Sequence, residues 1–339
     1  MNFKKGVLSF LAVILVLFSA APALADTTDS STSSSDSSTS ASSSSSTTHT
    51  LSSSYIVYGA GTSSDVRSKL DDIFNADSTF KKLTATAADY SQYIEANTNT
   101  TDAAMISSVS ITPGDPGSGV KVNIKNYDGS NNITEVTAQQ YAMVAQMAGV
   151  TDVTITVTAN RAVSGSSALT GVYKALAADG ANLNTQNTTT ANQMLSATQS
   201  AIDDNKDDSS YPGKLMAAIG NVSKELAQMK QDNEQLATKQ DIQDMLNKAL
   251  EKQGIKDQTS STSIGQITNA LVSFQNSPIS SSKSYVKNVG NTISNVKNSV
   301  GNLMSKAKSL ASSKEGKEAA SQAKSLWQQF VSWVQSLFE

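Results

Sequence analysis

Few residues in this chain have side chains and spacing suited to chemistry. His49 is the single histidine and cysteine is absent. A histidine-based triad, a multi-histidine metal site, a zinc–thiolate centre and a cysteine nucleophile are therefore excluded. Gly165-Ser166-Ser167 precedes a helical pattern and could offer a nucleophilic serine, but such a serine needs a base. Lys174, eight residues on from Ser166, is about two helical turns away. The plainer role for Ser166 or Ser167 is a helix N-cap, with Gly165 supplying the turn. Ser321-Gln322-Ala323-Lys324 has the Ser-x-x-Lys spacing of penicillin-recognising enzymes, yet neither Lys-Thr-Gly nor Ser-Asp-Asn accompanies it. Gly59-Ala60-Gly61 could aim backbone N–H groups at an anion, but Ser64 stands where a dinucleotide fingerprint needs its third glycine. A structural turn is the simpler reading.

Carboxylates are the remaining chemistry. The run from Asp203 to Asp208 suggests calcium, but an EF-hand loop would need glycine at Asp208 and glutamate at Lys214. It reads as a solvated linker. Glycoside hydrolysis needs only two carboxyl groups flanking a sugar. Asp89, Glu95, Asp102, Asp115, Asp128, Glu135 and Asp152 are available, but their spacing selects no pair. No metal and no cofactor is expected.

The chain has 339 residues, 26 Lys+Arg against 29 Asp+Glu, and a net charge of −3. That length allows one or two folded units with tails, and the charge speaks against a nucleic-acid partner. Only 16% of residues are charged, so solubility rests on Ser, Thr, Asn and Gln. Residues 1–25 read as a signal peptide: Lys4 and Lys5, an apolar run from Val7 to Phe18, then Ala23-Leu24-Ala25 at the cleavage point. The run is shorter than the ~20 apolar residues of a membrane span, and no transmembrane span is expected after cleavage. In residues 26–54, Ser and Thr fill 23 of 29 positions. Such a segment cannot bury enough apolar surface to order itself and reads as a disordered spacer.

Residues 55–180 alternate strand and helix patterns. Tyr55-Ile56-Val57-Tyr58 is a short β-prone run ending in the glycine turn. Thr62 and Asp65 have the spacing of a capping box, followed by Val66, Leu70, Ile73 and Phe74 on one helical face. Strand patterns recur at 105–112 and Val120–Ile124. Residues 137–150 read as a helix with Tyr141, Val144, Ala145 and Ala148 inward. Val153–Thr158 alternates apolar and hydroxyl residues, the pattern of a strand with one buried face. Residues 167–178 are again helical. The fold class expected is α/β (or α+β): a small N-terminal domain followed by amphipathic, coiled-coil-like helices.

The stretch Val163-Ser164-Gly165-Ser166-Ser167-Ala168-Leu169-Thr170-Gly171, the preceding helix ending Ala-Gly-Val, and the Tyr58-Gly59-Ala60-Gly61 turn resemble the YpuA-like family. That is a domain-of-unknown-function family of exported Gram-positive proteins. The resemblance covers roughly residues 55–180 and is looser beyond. It implies a fold neighbourhood and an extracytoplasmic compartment, with no activity or catalytic residues attached.

The second half reads as a polar linker with a short helix (181–213), a helical region (214–279), and basic amphipathic helices with an aromatic tail (280–339). Leu215, Ile219, Val222, Leu226, Met229, Asn233 and Leu236 alternate spacings of four and three. Ile219, Leu226 and Asn233 fall at a; Val222, Met229 and Leu236 at d. Asn at a selects register in dimeric coiled coils, and Glu225 and Lys230 suit an interchain pair. Thr238 and Asp241 then form a capping-box signature opening another helix, so an intramolecular hairpin and a self-associating dimer both remain open. Val286, Val289, Ile293, Val296, Val300, Leu303, Ala307 and Leu310 make a narrow stripe that calls for a partner or surface. Residues 283–339 carry eight Lys against three Glu. Lys306, Lys308, Lys324, Leu326, Trp327, Phe330, Trp333, Val334, Leu337 and Phe338 suit contact with anionic lipid or wall polymer, with internal packing as the alternative. The expectation is an exported, non-catalytic interaction protein whose partner is the cell envelope or a second copy of itself. The alternatives are a carboxylate-based hydrolase of envelope glycans and a secreted membrane-active protein.

Overall fold

The computed structural model describes residues 48–312 except Asn97 and Glu234, with side chains as far as Ser299. The signal peptide, the spacer to Thr47 and the tail beyond residue 312 lie outside the described residues.

Five strands form one mixed sheet. β1 (Tyr55–Gly59), α1 (Ser64–Phe74) and β2 (Lys81–Ala85) make a parallel crossover unit; β4 (Val120–Ile124), α3 (Ala138–Met147) and β5 (Val153–Thr158) make a second. β3 (Ser108–Pro113) runs antiparallel between them, giving the order β2-β1-β3-β5-β4. Val109, Ile111, Val153, Ile155 and Val157 turn to the main core. Opposite them, register sets Ser110 beside Thr156 and Thr112 beside Thr154. β1 shows no alternation because both its faces are covered: Tyr55 and Val57 join the main core, while Ile56 and Tyr58 meet Leu70 and Phe74 of α1. β2 gave no strand signal in sequence. Lys81 and Lys82 occupy an exposed edge, where charge discourages pairing with another chain.

α4 (Ser166–Ala178) and α3 pack on the main-core face. Nine of the ten residues of α3 are buried, not the single inward stripe expected from its apolar residues. Its polar side chains are spent on neighbouring helices: Gln140 Nε2 donates to Thr198 Oγ1 at 3.1 Å and Gln139 Nε2 to Ser299 Oγ at 2.8 Å.

The stretch read as a linker holds α5 (Thr185–Asp204), whose Ala191, Met194, Leu195, Thr198, Ala201 and Ile202 are buried. A buried face made largely of Ala and Thr carries little hydropathy contrast, and tertiary packing supplies what propensity lacks. α6 (Tyr211–Gln231), α7 (Lys239–Gln253), α8 (Ser261–Asn276) and α9 (Lys283–Ser312) complete the layer. One continuous apolar core runs from Leu51 to Val296, so the helices are built into the α/β unit rather than appended to it. Among the described residues no helix is long and apolar enough to cross a membrane.

Capping boxes close α2 (Ala87–Tyr93) through Thr86 and Asp89, α3 through Thr137 and Gln140, and α7 through Thr238 and Asp241, the last as expected. The Thr62–Asp65 box does not form. Ser63 is the N-cap of α1 without a side-chain bond, because the Thr62 hydroxyl donates to Gly59 O at 2.7 Å.

The last residues of the segment read as spacer are built into the fold. His49 bridges Val150 in parallel, Leu51 is buried, and Ser52 and Tyr55 both donate to Asp179. Burial holds the His49 imidazole below its ordinary 6.5, against a hydrogen bond to the Asn182 backbone that favours the charged form. The unfolded chain therefore binds this proton more readily, and stability falls as pH drops below 6.5 and through the lowered value. Urea titrations from pH 7.5 to 5 should show this loss, and His49→Gln should flatten it. The carboxylates held low, Asp89 and Asp179, stabilise above 3.8 and lose their contribution only below that window.

Candidate functional site

A groove of about 1000 Å³ lies between α2, α5 and α8. Thr185, Thr189, Gln193 and Ser196 line it from α5, and Gln266, Asn269 and Ser273 from α8. Spacings of four and three keep each set on one helical face. α8 contains no charged residue, and in α5 the charges are confined to Asp203 and Asp204 at its end. The walls are therefore hydroxyls and carboxamides, each able to donate and accept.

Two aromatic rings close one side. Tyr90 and Tyr93 of α2 are half-buried in the lining. Tyr93 meets Tyr173 edge-on, with ring centroids 6.1 Å apart, and Asn192 Nδ2 donates to Tyr93 O at 2.6 Å and to Ile94 O at 3.2 Å. α2 is held from below by Lys174, whose ammonium lies 2.6 Å from Asp89 Oδ2. Burial works against the charged Asp89 carboxylate, but hydrogen bonds from Lys174 and Thr86 outweigh it and keep the group below the usual carboxylate range. Burial, with the Asp89 charge behind it, raises the Tyr93 phenol, so the ring reaches the groove as a neutral donor.

At the far wall Ser164 and Ser166 place their hydroxyls 3.1 Å apart. Lys174 is committed to Asp89 and supplies no base to Ser166. The helix-capping expectation needs correction as well. Gly165, at φ 104°, is the N-cap of α4 and makes no side-chain bond; the Ala168 N–H donates to Gly165 O at 3.0 Å and to Ser107 Oγ, from a distant segment, at 2.9 Å.

Of the seven carboxylates read from sequence, Glu95 and Glu135 reach the groove. Both are exposed, and among the described residues neither has a side-chain hydrogen-bond partner. Asp102 accepts the Ala87 N–H at 2.7 Å, Asp128 pairs with Lys69, and Asp152 accepts the Gly119 N–H at 2.9 Å. In the 203–208 run, Asp208 accepts the Ser210 N–H at 2.9 Å, and no group of three His, Cys, Asp or Glu able to hold a metal occurs among the described residues. The Gly59–Gly61 amides are used internally: Gly59 N–H on Ser108 Oγ at 3.1 Å, Gly61 N–H on Met105 O at 2.9 Å.

The heptad residues divide. Ile219, Val222 and Leu226 are buried in this chain's own core, Met229 is half-buried, Asn233 lies past the helix end at φ 54°, and Leu236 is 45% exposed. The part of the stripe on α6 packs against α9 and α7 of the same chain. Lys230 turns inward, donating to Gln275 O at 2.9 Å and Ser280 Oγ at 2.8 Å, so it caps the C-terminal carbonyls of α8 rather than pairing with a Glu225 across a dimer. Lys306 and Lys308 lie on α9, with side chains outside the described residues; Lys324, Leu326, Trp327, Phe330, Trp333, Val334, Leu337 and Phe338 lie wholly outside them. Sequence reasoning missed the groove. Its one signal was the absence of charge along 185–202 and 261–276.

No curated protein and no solved structure matches the chain. A family model described as "Protein of unknown function (DUF1002)" matches residues 58–293, a span that takes in every residue lining the groove. From within β1 to within α9 the fold that builds this groove is thus the family's own, and the chain belongs to the DUF1002 family of proteins of unknown function.

Proposed function

We propose that the chain is an exported envelope protein that binds a hydroxyl-rich glycan in its groove without cleaving it. The observation that carries this is the chemistry of the groove wall: two tyrosines beside two uncharged rows of hydroxyls and carboxamides. Sugar hydroxyls both donate and accept, and their C–H faces pack on aromatic rings. The rows from α5 and α8 carry no charge, and the charged residues in the lining are Glu95 and Glu135, which disfavour an anionic ligand. Binding is favoured over hydrolysis because a glycosidase's general acid is kept protonated by an apolar, desolvated setting, whereas Glu95 and Glu135 are both exposed.

Export rests on the sequence: the 1–25 leader, the Ser/Thr spacer, and the resemblance to YpuA-like proteins of Gram-positive bacteria. The basic segment with its aromatic tail supports envelope attachment through anionic lipid or wall polymer. Fractionation of an expressing culture checks it. The full chain is expected in the envelope fraction, and a chain stopped after Ser321 in the medium; the same distribution for both would remove the anchoring role.

For the groove, Gln193→Ala/Asn269→Ala changes two exposed side chains and spares the core. Two hydrogen bonds at about 1 kcal/mol each correspond to an affinity loss of about tenfold or more. Co-sedimentation with purified wall glycan measures it, and undiminished binding by the double variant would place the site elsewhere.

A further inference from the structure

The charged side chains that line the groove are all of one sign. Glu95 follows α2 and Glu135 precedes α3. Both reach the lining as exposed carboxylates without a side-chain hydrogen-bond or ion-pair partner among the described residues. No Lys, Arg or His lines the groove. Lys174, which holds α2, is spent on Asp89 Oδ2 at 2.6 Å. A carboxylate only accepts hydrogen bonds, so each of the two glutamates calls for a donor, and most strongly for a charged one.

The tyrosines of the groove lack cations in the same way. Three tyrosines outside it each hold a cation of this chain over the ring: Tyr58 under Arg67 at 5.0 Å, Tyr127 under Lys69 at 4.8 Å and Tyr55 under Lys81 at 5.2 Å. Tyr90 and Tyr93 are half-buried in the groove wall and hold none among the described residues. The face of such a ring attracts a cation within about 6 Å. Burial raises the Tyr93 phenol and the Asp89 charge raises it further, so the negative charge behind α2 is felt at that ring.

We propose that the glycan held in the groove is an amino sugar with free, protonated amines, a de-N-acetylated chain recognised through Glu95, Glu135 and the rings of Tyr90 and Tyr93. The inference rests on the glycan reading of the groove and adds the class of sugar to it. An ammonium brings three N–H donors and a positive charge together, while the hydroxyls of the same sugar suit the rows from α5 and α8. N-acetylation removes the charge and leaves a neutral amide, which those rows still accept but which gains little from the glutamates. An inorganic cation is a poorer match. Hard divalent ions take six or more oxygens, and no group of three His, Cys, Asp or Glu able to hold a metal occurs among the described residues.

Calorimetric titration of the full chain with a glucosamine oligomer, and with its N-acetylated counterpart of equal length, tests the proposal. At about pH 6 amines of this class are protonated. The free-amine oligomer is expected to bind about fivefold more tightly, as two exposed ion pairs would give, and added salt to narrow the gap. Glu95→Gln/Glu135→Gln should bring the two sugars level while keeping the affinity for the N-acetylated one. Both side chains are exposed, so the core is spared. Glu251→Gln/Asp257→Asn removes the same charge from exposed positions outside the groove lining and should keep the gap. Equal affinity of the wild type for both sugars, a gap that survives Glu95→Gln/Glu135→Gln, or one lost equally in Glu251→Gln/Asp257→Asn overturns the amine preference and leaves an uncharged glycan in the groove. Binding of neither sugar contradicts the glycan reading itself, and the amine preference with it.

Discussion

Gly59→Ala is expected to abolish folding of the full chain, or to lower its stability by more than about 3 kcal/mol. A Cβ at this position would sit 2.1 Å from Met105 O, 2.6 Å from Met105 C and 3.0 Å from Ile106 C. These are backbone atoms of the segment entering β3, so no rotamer change relieves the overlap. Relief requires moving that segment off β1, and with it Val109 and Ile111, which are fully buried. The Ala60 N–H on Ala85 O and the Gly61 N–H on Met105 O, both at 2.9 Å, would be strained by the same shift. Gly117 is the control. It has φ +83° with nothing within 4 Å of an added Cβ, and its replacement by alanine should cost only about 1 kcal/mol. Urea unfolding of both variants checks the contrast, and a Gly59→Ala chain within 1 kcal/mol of wild type would contradict the packing of the β1 turn.

The second large effect is at the other end of the fold. A chain stopped after Ser282 should not fold, whereas one stopped after Ser312 should unfold cooperatively near the full-length temperature. Tyr285, Val289, Ile293 and Val296 of α9 are all buried, with Tyr285 and Val289 fully so. At about 1.5–3 kcal/mol each, four such side chains contribute about 6–12 kcal/mol, the size of a domain's whole net stability. Removing α9 also uncovers Gly220, a gap in α6 into which Ile293 fits: an added Cβ there would lie 2.7 Å from Ile293 Cγ1. Circular dichroism melts of the two truncations separate the cases. Cooperative unfolding of the shorter chain at the wild-type temperature would mean that α9 is dispensable.

Much of the sheet was legible because its strands obey simple physics. The alternation in Val153–Thr158 survives as core on one side and hydroxyls on the other, and Val120–Ile124 is a strand with the bounds its pattern suggested. β2 was hidden because only Ala85 of its five residues is buried, so no apolar pattern marks it. The helical half was legible as helices but misread as separate from the α/β unit. The 219–236 stripe and the 286–296 stripe each call for a partner, and neither says which. The answer, that they pack on each other through Gly220 and Ile293, depends on a fold-back that local spacing does not encode. The groove was invisible for a related reason. Thr189, Gln193, Gln266 and Asn269 are ordinary solvent-facing residues on their own helices, and become a wall only where α5 and α8 lie side by side beside Tyr90 and Tyr93.

The central claim is that this groove holds a glycan and leaves it intact. Calorimetric titration of the full chain with a soluble, uncharged wall oligosaccharide, followed by chain-length analysis of the recovered sugar, tests both halves in one sample. The account predicts saturable binding, weakened about tenfold or more by Gln193→Ala/Asn269→Ala, and recovery of the oligosaccharide at its original length. Absence of binding, or binding indifferent to the two substitutions, would contradict the site. Shortened product would contradict the non-catalytic reading and turn attention to Glu95 and Glu135.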